Sequence, residues 1–288
     1  MDTPRITVVT PSFNQGQFIE ETILSVIGQQ YPNLEYIIID GGSTDASVEV
    51  IKKYEQHLAY WVSEPDRGQA HAINKGFAKA TGRILAWLNS DDMYLPGAFA
   101  FGVSALKADA APGLLFGNCL HFVEGDTQAY GSDVRAGHET MNLTLADYII
   151  QPSTFWTRSA WEATGPLDES LNFGFDWEWF IRARKAGVAF VPADKYLSLY
   201  RIHGAHKTGT GGERRLQELA TIYGRHAGAK YERLFARCMA SRSKIVAGRT
   251  LLGRLRLSRF EAAALKLRFP GLFRGFEPEE ISDMMTML

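Results

Sequence analysis

The chain has 288 residues, 45% of them hydrophobic, 22% charged and 12% aromatic, which suits one large buried core with an appendage and excludes disordered or collagen-like chains. Its net charge of −1 hides a split, because residues 1–212 carry 16 basic and 24 acidic side chains (net −8) and residues 213–288 carry 15 and 8 (net +7); two regions with different surroundings are expected, with a boundary near residue 212. No window approaches the ~18 apolar residues of a membrane span, MDTPRITVVT lacks the layout of a secretion signal, and Cys119 and Cys238 stand far apart without Cys or His neighbours, so a cytoplasmic chain with neither a disulfide framework nor a zinc site is expected.

Ile6 to Thr10 (ITVVT), ended by Pro11, is apolar enough throughout to be a central strand covered on both faces. A loop, Ser12 to Gly16, precedes Ile19, Ile23, Val26 and Ile27, which recur at the spacing of one buried helical face. Tyr36 to Asp40 repeats the strand and Gly41-Gly42 the turn, and Ser43 is expected to cap a helix carrying Val48, Ile51 and Tyr54. A third strand, Tyr60 to Val62, leads through Glu64 to Gly68 into a helix bearing Ile73, Phe77 and Ala80, with Gly82 as its left-handed stop. Ile84 to Leu88 is a fourth buried strand and runs directly into Asn89-Ser90-Asp91-Asp92. This alternation predicts an α/β fold with a doubly wound, mostly parallel sheet, in which ligands bind outside the carboxyl ends of the strands. Thr10 to Asn14, Asp40, Glu64 to Gly68 and Asn89 to Asp92 all follow strands, so they are expected to line one crevice.

Beyond residue 100 the pattern predicts strands at Leu114 to Phe122 and Thr154 to Thr157, a short helix at Thr144 to Ile150, and a longer helix at Asp176 to Ala186 stopped by Gly187. A late strand, Tyr196 to Ile202, enters the Gly-, His- and Lys-rich stretch His203 to Gly212, which reads as a mobile loop. Leu216, Leu219, Ala220 and Tyr223, then Tyr231, Leu234, Phe235 and Cys238, mark amphipathic helices in a C-terminal extension.

The adjacent carboxylates Asp91 and Asp92 repel each other unless a cation or hydrogen-bond donors relieve them. A divalent metal, Mg²⁺ or Mn²⁺, held by one or two carboxylates and a substrate diphosphate, would do so; a turn or helix cap is the plainer reading of the same residues.

The segments TPSFN (Thr10 to Asn14), DGGSTD (Asp40 to Asp45), DRGQAHAINKG (Asp66 to Gly76) and NSDD (Asn89 to Asp92) follow one another in register. Together they resemble family 2 of the nucleotide-sugar glycosyltransferases over about residues 4–205. The resemblance implies a Rossmann-like GT-A catalytic domain over 1–212, with a nucleotide-binding half to about residue 100 and an acceptor half beyond it. It implies a divalent metal, Mn²⁺ or Mg²⁺, and inverting transfer from a nucleotide-sugar, UDP-linked by family preference, to a hydroxyl of a glycan or lipid-linked acceptor in bacterial envelope or exopolysaccharide synthesis. By the same resemblance Asp40 would meet the uracil ring, Pro11 and Phe13 would border the uridine, and Arg67 would contact the base or phosphates. Asp91 would bind the ribose or the donor sugar, and Asp92 the metal. Gly41 stands where a second Asp is frequent in the family, and Asn89 where the DXD pattern often begins with Asp.

Phe175-Asp176-Trp177-Glu178 resembles the family's acceptor-side ED motif, with Phe175 in place of its first acid, so Asp176 matches the catalytic base and Glu178 stands in reserve. A carboxylate at a helix start can take the acceptor hydroxyl's proton, and it also favours the helix dipole. Arg201-Ile202-His203 is similar to a segment that relatives place over the diphosphate. His203 would be a metal ligand or a phosphate contact, and Arg201 or Lys207 would neutralise the departing nucleotide. Gln151 is placed at the acceptor floor, and Trp177 is singled out as a sugar platform.

Between Lys230 and Arg274 there are 12 Lys or Arg against Glu232 and Glu261, with Leu251, Leu252, Leu255, Leu257 and Phe260 among them. Such a stretch suits an anionic membrane surface and a peripheral location on its inner face; packing on the acidic domain or a homo-oligomer interface would use the same charge. No nucleic-acid motif accompanies it. Two other classes compete with the glycosyltransferase reading: a dinucleotide oxidoreductase, for which TPSFNQG lacks G-x-G-x-x-G, and a catalytically silent nucleotide- or glycan-binding domain of the same fold.

Overall fold

In the computed structural model, residues 3–106, 111–126, 128–204, 207, 211–254 and 260–287 are described. The first four strands, β1 (Ile6–Ser12), β2 (Leu34–Asp40), β3 (Tyr60–Ser63) and β4 (Ile84–Trp87), lie parallel in the order β3-β2-β1-β4. Every residue of β1 and β4 is buried, which is why these segments are apolar without alternation. The crossover helices are α1 (Ile19–Ile27), α2 (Ser47–Lys53) and α3 (Gln69–Lys79). Ile19, Ile23 and Val26 of α1 pack with Ile6, Val8, Tyr36, Ile38 and Ile84 in one core.

Past β4 the sheet changes character. β8 (Thr154–Thr157) runs antiparallel beside β4 and beside β6 (Gly113–Val123), while β9 (Ala189–Ile202) pairs in parallel with β6. β5 (Met93–Tyr94) joins the far edge against β9, and β7 (Ala129–Gly131) pairs with β6. The pairing of β5 with β9 returns the chain just after Asp91-Asp92 to the end of β9, so two distant segments meet at the rim. Helices α4 (Ala98–Leu106), α5 (Arg158–Thr164) and α6 (Phe175–Lys185) complete this part.

The chain divides into two units, residues 1–141 with 149–206, and residues 142–148 with 207–288. The second holds α7 (Gly212–His226), α8 (Ala229–Ala240), α9 (Arg242–Arg254), α10 (Glu261–Arg268), α11 (Pro270–Phe273) and α12 (Pro278–Met285). Tyr223 and Phe235 stack at 5.0 Å in its interior, and the Tyr223 hydroxyl donates to the Leu145 carbonyl at 2.8 Å. Leu255, Leu257, Arg256 and Arg259 lie outside the described residues, as do residues 205, 206 and 208–210 of the Gly- and His-rich stretch.

Three local expectations are corrected. The second helix begins at Ser47, not behind a Ser43 cap, because Ser43 is engaged by Asp40 and Asn14. Gly82 is not left-handed: a Cβ there would lie 2.5 Å from the Thr7 nitrogen, so its smallness lets the chain graze β1. Thr144 to Ile150 forms no helix, since the Asn142 carboxamide accepts from the Thr144 nitrogen (3.1 Å) and hydroxyl (2.7 Å) and holds a turn instead. Cys119 and Cys238 are free and buried.

The motif glycine Gly76 has a packing role. A Cβ on it would come 2.4 Å from Val9 Cγ1, so its absence sets the approach of α3 to β1. Gly76→Ala would add about 1–3 kcal/mol of overpacking against roughly 1 kcal/mol of helix propensity gained. A lower unfolding midpoint in differential scanning calorimetry is expected; an unchanged or higher one would mean that Val9 yields freely.

Candidate functional site

Two loops knit the crevice floor. Asn14, in the left-handed region at φ 52°, donates its N–H to Ser43 Oγ (2.7 Å) and accepts the Thr44 N–H on its side-chain oxygen (2.9 Å). Gln15 and Gly16 donate their N–H groups to Ser47 Oγ (2.9 Å) and Asp45 Oδ2 (2.8 Å). Asn tolerates that backbone better than other non-glycine residues, and its carboxamide bridges the loops.

Asp40 sits beneath them with 0% exposure. Its Oδ2 accepts from the Gly42 N–H (3.1 Å), the Ser43 N–H (2.8 Å) and Ser63 Oγ (2.7 Å), and its Oδ1 from Ser43 Oγ (2.6 Å). The carboxylate is covered and these bonds shape the loop. Pro11 is likewise buried inside β1, whereas the Phe13 ring is 60% exposed beside the rim. Ser12 Oγ, between them, is buried with no hydrogen-bond partner among the described residues. Arg67 is on the surface, paired with Glu169 at 2.5 Å, an exposed ion pair of little net worth that leaves the guanidinium available to an anion.

The Asn89 to Asp92 turn is held from several sides. Asn89 Nδ2 donates to Asp92 Oδ2 (3.2 Å) and to Gln151 Oε1 (3.5 Å), and Asn89 Oδ1 accepts from Gln69 Nε2 (2.7 Å). A carboxylate at position 89 would lose both donations and set a third acid against Asp92, which accounts for the amide there. Asp92 is buried, and burial, then the charge of Asp91, pushes its carboxyl well above the usual carboxylate range. The Arg201 N–H (3.2 Å) and Asn89 oppose that rise.

The expectation that Arg201 faces a departing nucleotide is corrected. Its buried guanidinium donates Nε–H to the Asp91 carbonyl (3.1 Å), pairs with Glu21 and Glu124, and lies over the rings of Phe18 (4.8 Å) and Phe122 (4.9 Å). Its fork is thereby occupied, and it clamps the end of β9 to the carboxylate turn. His203, two residues on, places Nε2 3.1 Å from Asp91 Oδ2, with its ring 4.5 Å from Phe18. The structure thus brings His203 to Asp91, the neighbour of Asp92. No group of three His, Cys, Asp or Glu side chains positioned for a metal occurs among the described residues. A cavity of about 720 Å³ opens here, with Gln17, Phe18, Val123, Glu124 and His203 among its walls.

Phe175 at the start of α6 lies 6.4 Å from the Trp87 ring at the end of β4, which brings the start of this helix to the end of that strand. Asp176 is half-buried in the first turn, its Oδ1 accepting its neighbour's N–H at 2.9 Å. Glu178 is removed from reserve, since it is buried and doubly bonded to Arg182 Nε (2.8 and 3.0 Å). Trp177 has 0% exposure and cannot offer a face to a sugar. Gln151 is also buried, donating to the Trp87 carbonyl (2.9 Å) and supporting Asn89 from below, so it is no direct acceptor contact.

An α/β sheet that gathers loops and paired carboxylates at the carboxyl ends of its strands is the frame of a nucleotide-dependent enzyme, here with the GT-A arrangement. The glycosyl transferase family 2 model matches residues 7–154, and the chain belongs to that family of glycosyltransferases. It is 40% identical over 186 residues to an uncharacterized glycosyltransferase of Mycobacterium tuberculosis, covering 62% of this chain and 69% of that protein. Over 96 residues it is 40% identical to a candidate teichuronic acid biosynthesis glycosyltransferase of Bacillus subtilis, covering 32% and 37%. Among solved structures it is similar in fold to S. aureus TarS 1–349 in complex with UDP-GlcNAc (TM-score 0.61, 15% identity, 80% of this chain, 70% of that one), and it spans 42% of the longer TarS chain. The mannosyltransferase PcManGT from Pyrobaculum calidifontis, in complex with GDP-Man and Mn²⁺, is similar over 100% of this chain and 85% of its own (TM-score 0.59, 19% identity).

Proposed function

We propose that the protein is an inverting, metal-dependent glycosyltransferase that moves a sugar from a UDP-sugar to a hydroxyl of a glycan or lipid-linked acceptor in cell-envelope polysaccharide synthesis. The observation that carries this reading is the buried Asp91-Asp92 turn, clamped by Arg201 and faced by His203, beyond the end of β4 that the start of α6 also reaches. The teichuronic acid relative supports the envelope acceptor, and the UDP-GlcNAc complex of TarS supports the donor class.

The residues fit a divalent cation. Asp91 and His203 offer oxygen and imidazole donors at the rim, and the Asp92 carboxyl, raised by burial and then by the charge of Asp91, is one that a nearby cation would stabilise in its ionised form. Diphosphate oxygens would complete the coordination, and the metal when bound stabilises negative charge on the leaving group. In this reading Arg67 meets phosphate and Asp176 takes the acceptor proton. The acceptor oxygen attacks the anomeric carbon as the carbon–oxygen bond to the diphosphate breaks; the bonding pair leaves on the nucleotide, and the hydroxyl proton passes to Asp176. One displacement inverts the anomeric centre.

The extension supports a peripheral site on an anionic membrane. Val246, Leu251, Phe260 and Leu267 are exposed in a stretch that also carries the exposed Arg242 and Lys244, and no helix of the described residues is long and apolar enough to cross a bilayer. A thermal-shift titration with UDP, GDP, TDP and NAD, each with and without Mn²⁺, tests the donor reading, since a ligand of the native state raises the midpoint by mass action. Stabilisation by UDP that depends on Mn²⁺ is expected; stabilisation by NAD alone, or by no nucleotide, would overturn it.

A further inference from the structure

Helix α1 and the residues just past its end carry a polar stripe among apolar neighbours. Thr22, Ser25 and Gln29 recur at i, i+3 and i+7, and all three reach the short stretch of chain that follows the carboxylate turn. The Thr22 hydroxyl, with the residue 0% exposed, donates to the Asp92 carbonyl at 2.8 Å. Ser25 Oγ accepts the Tyr94 N–H (3.1 Å) and donates back to the Thr22 carbonyl (2.8 Å). Gln29 Nε2 donates to the carbonyls of Ser25 (3.1 Å) and Leu95 (2.9 Å), and its Oε1 accepts the Phe99 N–H at 3.5 Å. A helical threonine can turn its hydroxyl back onto the preceding turn; Thr22 directs it out of the helix instead. Ile19, Ile23 and Val26 already pack this helix into the core, and a buried hydrogen bond adds little net stability while being costly to leave unmade. The stripe therefore fixes one register of the segment after β4 against α1. At its start α1 grows out of the crevice loop, where the Gln15 carbonyl accepts the N–H groups of Phe18 and Ile19 at 2.9 Å each.

We propose that Thr22 is a positioning residue for the Asp92 carboxylate: by holding the Asp92 carbonyl, it fixes the backbone from which that side chain projects. The inference rests on the metal-dependent nucleotide-sugar reading above and adds to it a residue that touches neither cation nor substrate. The two carboxylate oxygens of Asp92 are met by the Arg201 N–H and by Asn89 Nδ2, each at 3.2 Å. A cation beside Asp91 and His203 would draw on the same oxygens, so the carboxylate keeps its place only if the backbone beneath it is held independently. Thr22 does that from a helix, without competing for either oxygen. The demand is strict, since a displacement of about 1 Å in such a constellation can cost on the order of 10²-fold in rate.

The test is calorimetric titration of the full chain with UDP, in Mn²⁺ and in EDTA, together with the unfolding midpoint, on the wild type, Thr22→Val, Thr22→Ser and Ser25→Ala. Valine keeps the shape and removes the donor, whereas serine keeps the donor and removes a methyl group. In Thr22→Val the affinity for UDP in Mn²⁺ is expected to fall about tenfold while that in EDTA stays within about twofold of wild type, and Thr22→Ser is expected to recover most of the loss. Thr22→Val and Ser25→Ala each leave a backbone group without its partner, so both should lower the midpoint by a few degrees. Only Thr22→Val, which frees the carbonyl of Asp92 itself, should lose the gain in affinity that Mn²⁺ brings. If valine is not accommodated, Thr22→Ala against Thr22→Ser makes the same comparison. An unchanged Mn²⁺ gain in Thr22→Val, no recovery in Thr22→Ser, or an equal loss in Ser25→Ala would overturn the inference and leave Thr22 a tie of the fold alone. Wild type that binds UDP with no gain from Mn²⁺, or not at all, sinks the metal-dependent donor reading, and this inference with it.

Discussion

Asp92→Asn is expected to make the metal-free protein more stable and the enzyme inactive. Burial and the adjacent Asp91 hold the Asp92 carboxyl well above its unfolded value, so the folded state binds a proton there that the unfolded state has already released. The sign follows from linkage: with more protons bound in the folded state, stability falls as pH rises from the unfolded pKa near ~4 through the raised folded one. Above the unfolded pKa the wild type therefore loses stability at this residue, by retaining the proton or by ionising beside Asp91. The amide keeps the shape and removes the charge, and a gain of about 1 kcal/mol would raise the midpoint by roughly 2–4 °C for a chain of this size. Differential scanning calorimetry from pH 4 to 8 without metal should show the wild type losing stability relative to the Asp92→Asn variant as pH rises. Mn²⁺-dependent UDP binding should weaken at least about tenfold in the variant, or ~1.4 kcal/mol. A variant that is less stable at every pH would show that the carboxylate is already neutralised by its Arg201 and Asn89 contacts.

That trade-off marks where sequence reading succeeds and where it fails. Strands β1, β2 and β4 are legible because they are almost wholly buried and read as largely apolar runs, each followed by a polar loop that the parallel arrangement sends to one rim. The antiparallel insertion of β8 between β4 and β6 is not, since pairing between distant strands depends on partners that no local period encodes. Trp177 fails for a related reason. On α6 the residues Phe175, Trp177, Glu178, Trp179, Phe180, Ile181 and Ala183 are all buried, so no amphipathic stripe tells which aromatic faces out. Arg201 looks like a free cation in sequence because its partners Glu21, Asp91 and Glu124 are far away along the chain.

Asp176→Asn should leave donor binding intact and remove transfer. Asp176 sits in the first turn of α6, and Phe175 packs that turn against Trp87 at the end of β4. An asparagine there preserves size and the turn, but it cannot take a proton from an attacking hydroxyl. Loss of the proposed general base is expected to lower kcat about 10²–10⁴-fold, with UDP affinity in Mn²⁺ changed less than about twofold because the proposed role is toward the acceptor and not the donor. Glu178→Gln provides the contrast: that carboxylate is buried on Arg182, which also donates to the Thr164 and Pro166 carbonyls, so its removal should lower the unfolding midpoint and leave turnover per folded molecule near wild type. Donor turnover, measured as UDP release with and without an acceptor glycan, separates the two variants. If Asp176→Asn transfers sugar at the wild-type rate, the proton goes elsewhere, and the assignment of the acceptor side to the start of α6 falls.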